Sequence, residues 1–272
     1  MAEYTVTLQD DTYDVRGLGR LVEHDERSRR YAFDITGITL ASVHHARHVP
    51  VLDQGTLGSC TGNAMTGLLG TSPFFETLPS GTLSVSDGTL DEKVAVELYS
   101  DATKLDSYPG TYPPTDTGSS GIGVAKAAAK QGWISGYQHT FDLDSALAAL
   151  AVRPVIIGIN WYEGFDSPSA EGELTISGKV RGGHEIVLDQ LDVEQKRVWL
   201  TNSWGTSFGV HGRAFLSWDT FSRLLTEKGD CTVPVPVTAP APTPTPAPQP
   251  DQADTAFWGA AKDWARAKGL LT

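Results

Sequence analysis

The residue with the strongest claim to chemistry is Cys60, in the stretch Gln54-Gly55-Thr56-Leu57-Gly58-Ser59-Cys60-Thr61-Gly62-Asn63-Ala64. A thiol acts as a nucleophile in its ionised form. It then needs a base to take its proton, a group to hold that base, and donors for the oxyanion that forms on attack. Two downstream stretches supply the first two. Arg181-Gly182-Gly183-His184-Glu185 presents a histidine after two glycines, and Thr201-Asn202-Ser203-Trp204-Gly205 presents an amide followed by an indole. Asn202 could orient the His184 ring through one nitrogen, and Trp204 could keep water from that bond. Gln54, six residues before the cysteine, could aim its side-chain NH₂ at an oxyanion beside the Cys60 backbone N–H.

These residues need elements to position them. Ala64, Met65, Leu68 and Leu69 fall at helical spacing after Cys60, so the thiol stands where a loop enters a buried helix. Unpaired N–H groups and the helix dipole favour an anion there. A Gly/Ser/Thr/Pro-rich loop over 71–90 follows. Asp91 is expected to cap a second helix, with Val94, Val96, Leu98 and Tyr99 inside. A loop over 106–121 leads to a short helix over 123–132 and another over 144–152. Beyond Pro154 the texture changes. Val155–Ile159 is a β-branched run that reads as a buried strand, and 186–191, 197–201 and 213–217 read as further strands. A mainly helical half followed by a strand-rich half predicts an α+β fold in two lobes, with a site in the cleft between them.

Taken together, Gln54-Gly55, Gly58-Ser59-Cys60, Gly183-His184 and Asn202-Ser203-Trp204-Gly205-Thr206-Ser207-Phe208-Gly209 resemble the papain-like cysteine peptidases. The histidine and asparagine follow the cysteine by roughly 120 and 140 residues, near the spacing of about 130–150 that characterises papain and the cathepsins. The resemblance covers roughly residues 45–225. It implies a helical lobe and a β-barrel-like lobe, with Cys60 as nucleophile, His184 as general acid/base, Asn202 as orienting residue and Gln54 as oxyanion donor. Trp204 would shield the site, and Gly183 and Trp161, with Tyr162, would stand on the substrate cleft. The expected activity is endopeptidase hydrolysis of a protein or peptide substrate through a thioester acyl-enzyme. Acyl or isopeptide transfer by the same residues, or a non-catalytic protein that keeps the fold, are the alternatives. Leu57 replaces the cysteine common three residues before the nucleophile and Thr61 the usual aromatic after it, a form closer to bacterial and phage relatives than to lysosomal enzymes.

The remaining chain sets bounds. It has 272 residues, 40% hydrophobic and 20% charged, with a net charge of −12. That balance argues against nucleic acid as a partner, and no apolar run approaches the ~20 residues of a membrane span. Met1–Asp14 shows no signal-peptide core, so a cytoplasmic or particle-associated protein is expected. Residues 1–35 form a charged arm, short for a folded pro-region, which leaves open whether it lies across the site. His44, His45 and His48 read as surface loop residues with no ligand set around them, and neither a metal nor a cofactor is expected. Cys60 and Cys231 read as free thiols. The catalytic domain is placed at 36–232, a Pro-rich linker at 233–253, and an amphipathic helix at 254–272 that could dock to a protein partner.

Overall fold

The structure is a computed structural model that describes residues 16–24 and 33–237; all lie in the first of the two units into which the chain divides, Met1–Thr238. Most of the expected linker and the whole of the expected terminal helix fall outside the described residues. Among the described residues the five α-helices are α1 (Cys60–Leu69), α2 (Gly88–Ala102), α3 (Gly121–Lys130), α4 (Leu143–Val152) and α5 (Trp218–Thr226). Seven strands are β1 (Val43–His44), β2 (Ile134–Thr140), β3 (Val155–Tyr162), β4 (Val180–Asp192), β5 (Arg197–Thr201), β6 (Arg213–Ser217) and β7 (Asp230–Pro236).

Local chemistry fixes most helix starts. Asp87, not Asp91, caps α2, with its carboxylate accepting from the Thr89 and Leu90 N–H groups; Asp91 lies inside the helix and turns instead to the Ser84 N–H. Ser120 caps α3, Asp142 caps α4 and Ser217 caps α5, each through its side-chain oxygen. Helix α1 differs, because Ser59 makes no side-chain cap bond, so its first N–H groups have no capping side chain.

The strands form one antiparallel sheet in the order β2-β7-β3-β4-β5-β6, with β1 on β4. Side chains alternate across it. Ile157, Ile159, Ile186, Leu188 and Cys231 pack with α4 and α5 in one core, while Ile156 and Val187 pack with α1, α2 and α3 in another. The sheet thus divides two lobes, and each fully buried branched side chain stabilises its core by about 1.5–3 kcal/mol. Within the helical lobe α1 and α2 meet closely where glycine permits it: a β-carbon on Gly62 of α1 would stand 2.0 Å from the Ala95 carbonyl oxygen of α2.

Several expectations are corrected here. β7 extends to Pro236, into the stretch assigned to the linker, because its residues pair with β2 from Ile134–Pro236 to Thr140–Cys231. His45 is not a surface residue; it is buried, with Nε2 2.7 Å from the Leu150 carbonyl oxygen. The strand expected at 186–191 runs over 13 residues from Val180, so His184 lies inside it. No helix among the described residues is long and apolar enough to cross a membrane.

Candidate active site

Cys60 is the first residue of α1 and has no exposed surface. The loop before it is held from both sides. The Gly58 N–H donates to Asp116 at 2.8 Å, and Tyr99 donates its hydroxyl to the same carboxylate. Burial pushes the Cys60 thiol up to about 12, although the backbone N–H groups of Glu185 and Thr61 favour its ionised form. The thiol therefore lies against β4 at the residue that follows His184.

The histidine and asparagine meet as the sequence suggested. His184 Nε2 stands 2.8 Å from Asn202 Oδ1. The same Asn202 oxygen accepts the Ser203 backbone N–H at 2.8 Å. A backbone N–H can only donate, so this atom is the oxygen and His184 must donate to it. That fixes the tautomer: Nε2 carries the proton and Nδ1 carries the lone pair. His184 Nδ1 is buried with no hydrogen-bond partner. Burial lowers the ring's pKa to about 4, with the Asn202 bond opposing that shift. Two indoles enclose the ring. Trp204 lies at 5.1 Å, tilted, and Trp161 at 4.7 Å, edge-on. Trp161 has no exposed surface, and Tyr162 hydrogen-bonds Glu227.

Gln54 is oriented rather than loose. Ser203 donates its hydroxyl to Gln54 Oε1 at 2.6 Å, and Gln54 Nε2 donates to the Leu57 carbonyl at 2.8 Å. Only one of its two side-chain N–H bonds is used in that contact.

Sequence reasoning missed what covers the pair. Residues 16–24 run between the loop of Gly55–Gly58 and the strand of Gly183. The Gly17 N–H donates to Gly55 O, the Gly19 and Arg20 N–H groups to Gly183 O, and the Leu21 N–H to Ser119 O, while Ser119 returns a bond to Gly19 O. Trp204 Nε1 donates to Gly17 O at 3.1 Å. The approach is close: a β-carbon on Gly19 would stand 2.1 Å from Gly58 O, and one on Gly183 would stand 2.2 Å from Arg20 O. The repeated glycine of Gly17-Leu18-Gly19 in an otherwise charged arm was the available signal.

No protein-family profile matches the sequence, and a search of curated proteins gives no match either. Solved structures do match. Xylellain, a cysteine protease from Xylella fastidiosa, aligns over 82% of this chain and 97% of its own at 17% identity, with a TM-score of 0.62. The ragweed pollen cysteine protease Amb a 11 in its proform aligns over 88% and 71% at 18% identity, TM-score 0.52. Procathepsin L2 from Tenebrio molitor aligns over 81% and 78% at 15% identity, TM-score 0.51. The chain has the fold of the papain-like cysteine proteases, an α+β fold of two lobes.

Proposed function

We propose that the chain is a cysteine peptidase acting on proteins or peptides. The observation that carries this is the His184–Asn202 bond, whose direction leaves a partnerless basic nitrogen on the ring, while the Cys60 thiol takes the backbone N–H of the next residue, Glu185. His184 Nδ1 takes the Cys60 proton, and the thiolate attacks the peptide carbonyl to form a tetrahedral adduct. The Cys60 N–H and the second N–H of Gln54 receive the oxyanion. The C–N bond then breaks as His184 passes its proton to the leaving amine. Water, deprotonated by His184, attacks the thioester, and the thiol leaves with that proton. Asn202 holds the ring in the required tautomer throughout.

In the covered form burial keeps both groups neutral, so reaction requires residues 16–24 to move aside. The test is mass spectrometry after treatment with an epoxide that traps activated cysteines, applied to the native chain and to Gly19→Ala, which disturbs the cover. Cys60 is expected to label faster than the equally buried Cys231 in the opened variant, and His184→Ala should abolish that advantage. Equal labelling of the two cysteines in the opened variant would overturn the reading.

A further inference from the structure

Arg20 is the unexpected residue of the covering segment, because its side chain has no exposed surface. A guanidinium is rarely buried without a site built for it, and three adjacent strands supply one. Gly158 of β3 pairs with Glu185 of β4 on one side and with Asp230 of β7 on the other. The three residues form a row on the sheet face that looks toward the helical lobe: carboxylate, no side chain, carboxylate. Glu185 and Asp230 are both buried. The absent side chain makes the slot. A β-carbon on Gly158 would lie 2.4 Å from Arg20 Nε, 2.8 Å from Glu185 Oε2 and 3.0 Å from Asp230 Oδ1.

The guanidinium fills this slot incompletely. Its Nη2 donates to Asp230 Oδ2, and to the Lys228 carbonyl at 2.8 Å. Nε and Nη1 have no partner, and neither does either oxygen of Glu185. On the helical side Gly121 approaches Glu185, its β-carbon position lying 2.8 Å from Oε1. His24 Nε2 also lies 3.2 Å from Asp230 Oδ2, yet Asp230 Oδ1 and both Glu185 oxygens stay without a partner, so the slot holds more acceptor capacity than Arg20 and His24 use. The slot lies next to His184 along β4, since Glu185 follows that histidine and Gly183, whose carbonyl accepts the Arg20 N–H, precedes it.

We propose that this slot is a specificity site for an arginine side chain of the substrate, with Asp230 and Glu185 as its recognition carboxylates, Gly158 as the residue that makes room, and Arg20 as the chain's own occupant in the covered form. The proposal names the substrate class for the peptidase reading above and rests on it. An arginine suits the slot because a planar fork can address carboxylates on two sides at once, which a neutral side chain of the same length does not do.

The test uses the full chain with Arg20→Ala, which vacates the slot, and two peptides differing only in arginine against citrulline, its uncharged isostere. Binding is read by fluorescence anisotropy in the Arg20→Ala, Cys60→Ala background, and cleavage in Arg20→Ala alone. The arginine peptide is expected to bind and to be cleaved at least tenfold better, and Asp230→Asn should remove the difference. Gly158→Ala, which fills the slot without touching a charge, should weaken the arginine peptide selectively. If both peptides are handled alike, or neither binds, the slot proposal is overturned, and the Cys60 labelling experiment decides the peptidase reading separately. Preferential binding of the arginine peptide without cleavage would sustain the slot and sink the peptidase reading.

Discussion

Asn202 makes no contact that a reacting bond would need, yet its oxygen decides which nitrogen of His184 is basic. That oxygen is committed twice, to the ring and to the Ser203 N–H, while Asn202 Nδ2 is buried without a partner. Replacing Asn202 with alanine removes the reason for one tautomer and lets the ring turn between the two indoles. A misplacement on the scale of 1 Å costs roughly 10²-fold in rate. Asn202→Ala is therefore expected to lower kcat by about that factor with KM nearly unchanged, measured on any cleaved peptide in an opened variant. A matching rise in KM would show that Asn202 shapes the substrate cleft instead. Trp204 remains in place in that variant, because it packs edge-on against Trp161 and Phe208 independently of Asn202.

Among the elements, the segment 16–24 is the one whose displacement changes what the site can do. It is held mainly by backbone bonds to Gly55, Gly183 and Ser119, so side-chain substitutions at most of its positions leave those bonds intact. Gly17 and Gly19 are the exceptions, Gly19 being the tighter of the two. Adding a methyl group 2.1 Å from Gly58 O, at a φ of +152°, cannot be absorbed without shifting backbone. Overpacking of this kind costs about 1–3 kcal/mol, which is roughly a 5- to 150-fold rise in the open population. Gly19→Ala should raise the rate of Cys60 labelling over the native chain by a factor in that range; an unchanged rate would mean that the cover is not what limits access. Beyond the glycine repeat, little of this was legible in the sequence, because a strap with two glycines has no hydrophobic period and its partners lie as far away as Gly183. The elements that were legible carry their own periodicity. Strands β5 and β6 stand at their expected bounds, and the helix at Cys60 begins where its spacing placed it. Strand β2 escaped notice because Ile134-Ser135-Gly136-Tyr137-Gln138 does not alternate, and its burial is patchy. The row Glu185–Gly158–Asp230 joins residues dozens of positions apart, and only strand pairing brings them together.

At the scale of the whole molecule, the acidic chain must bury several carboxyl groups to bring its lobes together, and Glu92 shows what that costs. It lies on α2, 4% exposed, and accepts the Asp53 backbone N–H. Asp53 in turn bridges to Trp204 in the sheet lobe. Glu92 thus ties the loop that carries Gln54 to the helical lobe. Burial raises its pKa to about 8; the Asp53 hydrogen bond opposes that shift, and the nearby Asp53 and Asp91 charges add to it. A carboxyl group whose pKa is higher folded than unfolded binds its proton preferentially in the folded state. Its contribution is complete below the unfolded value near 4.5 and is lost as pH rises through 8, at about 1.4 kcal/mol per pH unit across that window. Glutamine keeps a carbonyl oxygen for Asp53 and has no proton to lose. The difference in unfolding free energy between Glu92→Gln and the native chain is therefore expected to shift in favour of the variant between pH 5 and pH 8, by a few kcal/mol, as read from urea melts at constant ionic strength. Other buried groups titrate in both proteins and cancel in this difference, His184 among them, whose low folded pKa acts with the opposite sign. A difference that stays flat over that range would show that Glu92 is ionised in the folded state, and that the join between loop and helix is a charged contact rather than a protonated one.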